Sequence, residues 1–497
     1  MLFKINRFHA CALVTWQFAI FFASQMIFPI FSNYVPKWRC VGSNSTFSKD
    51  CKVYESCKTN IEFENNYFHS SAIEYKWICG PDAYFASLYS QIQFVGVLLG
   101  TIVFGSLSDC FGRKPIALIA VCGGLLASVC SGLAPSWQLL LLSRFFIGLS
   151  IGGTIVVVCT FVMEMILPEQ RMALRAFFNW GTARLMLTLI CYFFPDWRSA
   201  SVACAVMASP MILIIIFVFP ESPTWLHNKG RLQEMRESEK KAARFAGEKY
   251  VEKEPDPIVR NKSILDLLRD GTLVKRISVL WCMWFTAAIC GYATDFNSSN
   301  ISGHLYINQV LFSVLIAFSK ILLVTFDTLY PAFSRRNLHQ FSQLIVIISF
   351  LILTVLVTVD EHSIWILIVN LAGTMFIEYT WDACYLVAVE AMPTNVRATS
   401  MGTCSLMARL GAIFSPLLTY LNHLWAPSAY LAVVLLGLVN LLISYAWLVE
   451  TKGVNLDKVK LKETTEEEMK MLPVNSPNNT NQSAEAEIVP SNNNNNA

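Results

Sequence analysis

The chain has 497 residues, of which 54% are hydrophobic and only 15% are charged. Soluble domains carry roughly 25% charged residues, so this composition favours a protein that lies in lipid over a string of soluble domains. The formal net charge of +3 is small for this length and gives no reason to expect a nucleic-acid partner.

Twelve apolar stretches follow one another along the chain, each close to the roughly 20 residues that a membrane-spanning helix needs. The fifth, seventh and eighth contain a charge or several polar groups. We predict an all-α membrane protein with twelve transmembrane helices in two six-helix bundles. The predicted spans are 9–31, 87–107, 115–134, 138–162, 174–194, 199–219, 277–296, 305–326, 342–359, 364–388, 400–421 and 428–449.

Polar segments complete the predicted organisation. The N-terminal bundle covers 1–219 and includes a cysteine-rich loop at 32–86, whereas the C-terminal bundle covers 277–450. The linker at 220–276 is rich in mixed charge, and its pattern predicts short surface helices. The tail at 451–497 ends in a run of asparagines, and such a composition is typical of disorder because it cannot build a core.

Four cysteines lie close together in the polar loop after the first predicted span, beside a glycosylation sequence at Asn44. Together they predict an oxidising, extracellular loop that is closed by two disulfides and carries a glycan. The pairing stays open. A zinc site is the alternative, but the loop lacks a Cys-X-X-Cys pair and offers only His69 as a further ligand. The cysteines are Cys40, Cys51, Cys57 and Cys79.

The distribution of basic residues between the short loops predicts the orientation. The short loops after even-numbered predicted spans hold Arg113, Lys114, Arg335 and Arg336. The short loops after odd-numbered spans hold only Arg198. Because cytoplasmic loops carry the excess of lysine and arginine, both termini are predicted to be cytoplasmic. The cysteine-rich loop is then extracellular, as its glycosylation sequence requires.

The two predicted bundles repeat each other's pattern. Glu164 and Arg171 follow the fourth predicted span, and Glu390 and Arg397 follow the tenth at the same spacing. Equivalent residues of the two predicted bundles differ in residue number by a nearly constant amount, which indicates that the bundles are homologous. Membrane proteins built in this way place a substrate site between the repeats, near the middle of the bilayer.

The loop between the second and third predicted spans contains a motif that could latch the bundles together in one state and release them in another. Gly105 would let helices approach closely, and Gly112 would permit a tight turn. Asp109 can accept charge-assisted hydrogen bonds, and Arg113 and Lys114 are expected to anchor at anionic head groups. The predicted latch also includes Glu164, Arg171, Glu390 and Arg397.

This motif resembles the loop signature of the major facilitator superfamily, and nearly the whole chain resembles the organic cation and anion transporters of that superfamily. The resemblance also rests on the long cysteine-bearing loop and on the segments 220–226, 390–397 and 450–453. Several residues depart from those that the family usually has, and they weaken the latch argument in the C-terminal half. The departures are Cys110, Thr224, Val449 and Ser334.

The resemblance implies a secondary transporter that works by alternating access in the plasma membrane, as a monomer and without a cofactor or a metal. Its partners would be the lipid bilayer, a small organic ion as substrate and a counter-transported anion. The sequence carries no nucleotide-binding signature, so a gradient or exchange would supply the energy. Cysteines and histidines are scattered rather than clustered in the spans, which argues against an enzyme.

Ionisable residues inside the predicted spans are the candidates for substrate binding, because each costs about 2.5–3.5 kcal/mol at the bilayer centre. Lys320 and Arg409 stand in contexts that resemble the anion-carrying branch of the family, which favours organic anions. Alternatively, both simply pair with Glu378 or Asp382, which share a helix face. These acids could also bind a coupling proton or a cationic group of the substrate.

Two further charges are interpreted as structural or interfacial. Arg184 lies in the fifth predicted span without a counterpart in the family, and Asp295 lies near the outer end of the seventh. The aromatic residues Trp284, Tyr292 and Tyr379 are predicted to line the substrate cavity, although each of them could face lipid instead.

Two other functions stay open at this point. Recognition by Glu378 and Asp382 would make the protein a carrier of organic cations or of carnitine-like zwitterions. The departures from the latch motif would also fit a non-transporting receptor or sensor built on the carrier fold.

Overall fold

The computed structural model describes residues 6–41, 46–57, 61–64, 67–166, 177–252, 264–301, 304–330, 334–359, 364–423 and 425–450. Within these residues, eleven helical segments are long and apolar enough to cross a membrane. A further helix, Trp180–Phe193, has 14 residues and lies where the fifth span is predicted. We number these segments as spans 1 to 12 in chain order: Arg7–Ser32, Gly80–Phe111, Arg113–Gly132, Trp137–Met165, Trp180–Phe193, Trp197–Phe217, Gly271–Asn297, Leu305–Leu329, Arg335–Thr358, Ile364–Glu390, Thr394–Tyr420 and Ser428–Trp447.

Several helices begin earlier than the apolar pattern predicts. Span 9 begins at Arg335 rather than at 342, and span 7 begins at Gly271 rather than at 277. Ser334 and Asp270 cap these helices, since their side chains accept hydrogen bonds from backbone N–H groups of the first turn. Hydropathy detects only the apolar part of a helix, whereas the capped polar turn continues it beyond the lipid.

Three spans are interrupted along their length. Span 1 passes through a 3₁₀ turn at Ser24–Ile27 before Pro29, and span 6 is broken before Pro210. Proline lacks the N–H group that would continue the helix. Span 4 contains one π-helical turn at Thr154–Val158, a feature that inserts an extra residue into an α-helix.

Spans 2 and 4 approach each other through glycines. A Cβ atom at Gly100 would lie 2.0 Å from the carbonyl oxygen of Leu149, and one at Gly96 would lie 2.2 Å from that of Phe145. The expected role of Gly105 in such an approach is wrong, because a Cβ atom there would meet only the Val156 side chain at 3.4 Å. The close packing lies nearer the middle of span 2 than the motif does.

The cysteine-rich loop forms a small unit of its own. Strands β1 (Trp38–Cys40) and β2 (Ile61–Phe63) pair antiparallel, and short helices lie at Cys51–Cys57, Ser71–Glu74 and Gly80–Asp82. The structure joins Cys40 to Cys57 and Cys51 to Cys79, and so supplies the pairing that the sequence left open. The expected glycosylation site at Asn44 lies outside the described residues.

The linker contributes helices at Pro223–Asn228, Leu232–Ala246 and Ile264–Arg269, and the side of the membrane on which they lie is called the linker side. The opposite side, which bears the cysteine-rich loop, is called the loop side. The predicted tail at 451–497 lies outside the described residues.

The largest hydrophobic core belongs to the N-terminal half, but it also takes in residues of the C-terminal half, namely Phe296, Leu305, Tyr306 and Ala412. Two further cores lie within the C-terminal half. The two halves therefore pack directly against each other through spans 7, 8 and 11.

Candidate functional site

Lys320 of span 8 is bound by two acidic residues of span 10. Its ammonium nitrogen lies 2.8 Å from a carboxylate oxygen of Glu378 and 2.8 Å from one of Asp382. It also donates to the backbone carbonyl of Glu378 at 3.3 Å. One cation shared between two anions leaves this triad with a net negative charge. This is the ion-pair arrangement that the sequence analysis named as the alternative for Lys320.

Arg409 differs from Lys320 in having no ion pair with an acidic side chain of the described residues. It is half-buried near the middle of span 11, and its buried Nε–H group has no hydrogen-bond partner there. Its guanidinium interacts electrostatically with Tyr292 of span 7 and with Cys159 of span 4. Arg409 therefore lies where the two halves of the chain meet.

Tyr292 connects the same two halves. Its ring lies 4.8 Å from that of Phe94 in span 2, and its hydroxyl contacts the sulfur of Met26 in span 1 at 3.6 Å. Of the aromatic residues that the sequence predicts at the site, Tyr292 is the one that the structure brings together with Arg409.

Trp284 does not offer an open face, because it is only 2% exposed. It lies behind Tyr385 and Trp381 of span 10, with ring centroids 4.4 Å and 5.8 Å away. Tyr385 is 38% exposed and is the accessible member of this aromatic group. Tyr379 packs edge-on against Phe376 at 5.6 Å and lies within electrostatic reach of the Lys320 triad.

Arg184 and Asp295 form an ion pair between the halves, a contact that the sequence does not predict. Arg184 belongs to span 5 and is 1% exposed, and it pairs with the carboxylate of Asp295 in span 7. Its second terminal nitrogen donates to the side chain of Gln309 in span 8 at 2.7 Å. Asp295 was expected at the membrane–water interface. Its carboxylate is instead paired with a buried arginine. The sequence alone shows these two residues only as charges without evident partners, in predicted spans that contain a charge or several polar groups.

Arg144 of span 4 is a further basic residue inside the N-terminal bundle. It is fully buried, and its guanidinium lies between the rings of Phe28 and Tyr89, 4.6 Å and 4.8 Å from their centroids. One nitrogen donates to Gln25 at 3.3 Å. Cation–π contacts of this kind stabilise a desolvated guanidinium, so Arg144 is a structural residue of the N-terminal bundle.

The predicted latch forms a compact network on the linker side of the N-terminal half. Arg113 pairs with Asp109 at 2.7 Å and with Glu164 at 3.5 Å. Gly112 has φ of +111°, a region that favours glycine, and a Cβ atom there would lie 2.7 Å from Glu221. Arg171 lies outside the described residues.

Glu221 is the centre of this network, although no feature of the sequence alone marks it as a site residue. Its carboxylate accepts hydrogen bonds from the backbone N–H groups of Arg113 and Lys114, at 2.9 Å and 3.2 Å. The Lys114 ammonium donates to the carbonyls of Ile216 and Phe219 at the end of span 6. Both basic side chains have protein partners, and their anchoring at lipid head groups stays a prediction.

The C-terminal half repeats this network almost group for group. Arg335 pairs with Asp327 at 2.6 Å and with Glu390 at 3.2 Å, and its backbone N–H donates to Glu450 at 3.0 Å. Arg336 donates to the Tyr445 carbonyl at the end of span 12, as Lys114 does at the end of span 6.

The departure at Ser334 strengthens this second network, since its hydroxyl contacts Glu450. The expected weakness of the C-terminal latch is therefore wrong. Arg397 contributes less, with one long hydrogen bond to the Met392 carbonyl at 3.4 Å.

Comparison with known proteins shows the family to which this chain belongs. The profile of the family described as "Sugar (and other) transporter" matches residues 41–462. The chain belongs to this family. It is therefore a multi-pass membrane transporter of the major facilitator superfamily rather than an enzyme, as the resemblance implied.

Relatives of this transporter include carriers from several animals. An uncharacterized protein of Caenorhabditis elegans is 38% identical over 91% of this chain and 94% of its own length. The "Organic cation transporter-like protein" of Drosophila melanogaster is 27% identical over 77% of this chain and 71% of its own. "Solute carrier family 22 member 7" of Mus musculus is 29% identical over 74% and 70%, respectively.

The fold is that of a solved sugar carrier. The inward-open xylose transporter XylE from E. coli superimposes with a TM-score of 0.64 over 90% of this chain and 98% of that chain, at 16% identity. The predicted fold of two six-helix bundles is thereby confirmed. No group of histidine, cysteine and acidic side chains among the described residues could hold a metal ion.

Proposed function

We propose that this transporter carries small organic anions across the plasma membrane by alternating access, with Arg409 as the main contact for a carboxylate or sulfonate. The observation that carries the proposal is the position of Arg409 near mid-membrane, between the two halves, without an acidic partner among the described residues. A charged group at this depth is stabilised by a counter-charge or by water. An anionic substrate supplies that counter-charge.

The chemistry of the guanidinium supports this assignment. A guanidinium presents a planar fork of donors that binds a carboxylate through two parallel hydrogen bonds. The buried and unpartnered Nε–H of Arg409 is one of the donors available for such a contact. Lys320 is less suited to the same task, because two carboxylates already hold its ammonium.

The relatives support the coarser part of the proposal. Two of the Drosophila relatives are named as organic cation transporters or transporter-like proteins. These names support the proposal that this chain carries organic ions. The proposed preference for anions is argued from Arg409 alone. The counter-transported partner is proposed to be a second anion that uses the same arginine.

The proposed orientation places both termini and the linker helices in the cytoplasm and the cysteine-rich loop outside the cell. The chemistry of the loop supports this orientation, because the loop contains two disulfides and such bonds persist in oxidising compartments. The sequence at Asn44 would then carry a glycan on the outer surface.

Uptake by cells that express the transporter tests the proposal. The probes are radiolabelled benzoate, tetraethylammonium and carnitine, which represent an anion, a cation and a zwitterion. We expect benzoate uptake to exceed that of vector controls, Arg409→Ala to abolish it, and Arg409→Lys to restore part of it because the charge remains and the fork is lost. Arg231→Ala is the matched control, since Arg231 forms an exposed pair with Glu234 on the linker helix.

Normal surface expression of Arg409→Ala together with wild-type benzoate uptake would reject Arg409 as the contact. Uptake of tetraethylammonium alone by the wild-type protein would reject the preference for anions while leaving the transporter assignment intact.

A zwitterion carrier is the second candidate, and the Lys320 triad favours it. Two carboxylates around one ammonium leave a negative charge within the spans of the C-terminal half, to which Arg409 also belongs. A substrate with both charges could satisfy Arg409 with its carboxylate and the triad with its cationic group. Carnitine uptake that exceeds benzoate uptake, and that is lost in both Arg409→Ala and Asp382→Asn, would establish this alternative.

A further inference from the structure

The ion pair between Arg184 and Asp295 joins spans that belong to opposite halves of the transporter. Arg184 is 1% exposed and the Asp295 side chain is 14% exposed. Gln309 accepts from the same guanidinium at 2.7 Å and in turn donates to the Ser298 hydroxyl at 3.0 Å. Phe312 covers the guanidinium at 5.2 Å from its ring centroid. The pair is therefore buried, shared with a second acceptor and positioned by residues of spans 7 and 8.

Other contacts between the halves surround this pair, and they are electrically neutral. The Tyr306 hydroxyl of span 8 lies within hydrogen-bond distance of the backbone carbonyls of Tyr67 and Cys191, at 3.0 Å and 2.9 Å. The Ser87 hydroxyl of span 2 donates to the Pro416 carbonyl of span 11 at 3.0 Å. Tyr67 lies in the cysteine-rich loop, and the other residues lie toward the loop-side ends of their helices, so the structure shows the halves closed on the loop side.

We infer that the Arg184–Asp295 pair, with Gln309 as its second acceptor, holds the loop side of the transporter closed and thereby positions the halves around the substrate site. Alternating access requires the two halves to separate on the loop side in one state. Span 5 must then leave spans 7 and 8, and the pair cannot survive that separation. The inference depends on the transporter assignment alone and not on the choice between anions and cations.

Charge makes this contact stronger than its neutral neighbours. A hydrogen bond to a charged group contributes more than one between neutral groups, and a buried charge left without its partner is strongly unfavourable. The pair therefore stabilises the state in which the loop side is closed. In the state in which the loop side is open, water would have to hydrate both charged groups. Gly181 permits the approach, because a Cβ atom there would lie 2.5 Å from the Ala317 backbone of span 8.

The test measures opening of the loop side in purified protein in detergent, so that it needs neither a substrate nor a known orientation. Ser87→Cys is the reporter, since Ser87 is only 9% exposed and contacts span 11. Reaction of this thiol with a maleimide is followed over time, and the labelled fraction at position 87 is read by mass spectrometry. Asp295→Asn is introduced into the reporter protein, and the swap Arg184→Asp with Asp295→Arg is introduced separately.

We expect Asp295→Asn to raise the labelling rate by about tenfold, in line with the loss of one charge-assisted contact. The charge swap should bring the rate back towards that of the parent reporter. Glu62→Gln is the matched control and should leave the rate unchanged, because Glu62 pairs with Arg39 inside the cysteine-rich loop and joins no two spans.

An unchanged labelling rate in a monodisperse Asp295→Asn protein would overturn the inference. Fast labelling that persists in the charge swap would also overturn it, because it would indicate lost packing rather than a lost ion pair. If Asp295→Asn does not yield monodisperse protein, Gln309→Ala provides the same test by removing the second acceptor, with a smaller expected increase.

Discussion

Replacement of Lys320 by methionine distinguishes an ion-pair role of this residue from a substrate contact. Methionine keeps most of the length and apolar volume of the lysine side chain and removes the charge. Glu378 and Asp382, one helical turn apart on span 10, would then face each other without the ammonium between them. We expect Lys320→Met to lower the free energy of unfolding substantially.

The geometry gives the size of this effect. Each nitrogen–oxygen distance is 2.8 Å, and at an effective dielectric constant of about 20 each contact has a gross Coulomb energy of about 6 kcal/mol. Desolvation of the three groups offsets much of that energy, and loss of one partner from a buried pair typically costs about 3–5 kcal/mol. Because Glu378 and Asp382 keep 16% and 24% of their side chains exposed, we expect a loss near the lower end, about 3 kcal/mol.

Unfolding of the purified protein by titration of a denaturing detergent, followed by tryptophan fluorescence, measures this loss. Adding Glu378→Gln and Asp382→Asn to Lys320→Met should recover at least part of it, since no unpaired charge remains. Arg39→Met is the control, because the pair of Arg39 with Glu62 is 32% and 48% exposed and should contribute less than about 1 kcal/mol. Wild-type stability of Lys320→Met combined with complete loss of benzoate uptake would refute the ion-pair argument and make Lys320 a substrate contact.

Three further predictions concern the latch, the helix packing and the cysteine-rich loop. Asp109→Asn should lower the maximal rate of benzoate uptake more than the apparent affinity, because Asp109 contacts the latch and not the substrate site; an unchanged maximal rate with weakened affinity would contradict this. Gly100→Val should abolish monodisperse expression in size-exclusion chromatography, since its Cβ atom would meet the Leu149 carbonyl at 2.0 Å, whereas Gly123→Ala should be tolerated because nothing lies within 4 Å. Cys79→Ser should reduce surface expression measured by biotinylation, because the disulfide to Cys79 ties the loop to the start of span 2; wild-type expression would show that the tie is dispensable.

The sequence predicts the number, order and type of the spans well, because lipid imposes a single requirement of length and apolarity on each helix. It fails where a helix continues beyond the apolar part, as at span 9, whose first turn begins with Arg335. It also misses interruptions such as the π-helical turn at Thr154–Val158, since Thr, Ile and Val there fit an ordinary apolar helix equally well.

In the candidate site, too, the sequence predicts some contacts and misses others. Motif residues such as Asp109 and Arg113 form an ion pair because they are four residues apart and their loop is short. Partners that are distant in sequence, such as Asp295 for Arg184 or Glu450 for Arg335, depend on the packing of helices that no local pattern specifies. The repeat itself held the missing signal for Asp327 and Glu450, which occupy the places of Asp109 and Glu221 in the second half.

The balance of charge inside the spans links the structure to the proposed function. Arg184 is matched by Asp295, Lys320 is more than matched by two carboxylates, and Arg144 is enclosed by aromatic rings. Arg409, unlike Arg184 and Lys320, has no acidic partner among the described residues, and unlike Arg144 it lies between the halves. A carrier must bind its substrate strongly enough to select it and weakly enough to release it, so a permanent internal counter-ion at Arg409 would compete with an anionic substrate. The placement of the carboxylates of Asp295, Glu378 and Asp382 on other cations keeps that competition low, and this is why Arg409, rather than Lys320, is the residue on which the anion hypothesis should be tested first.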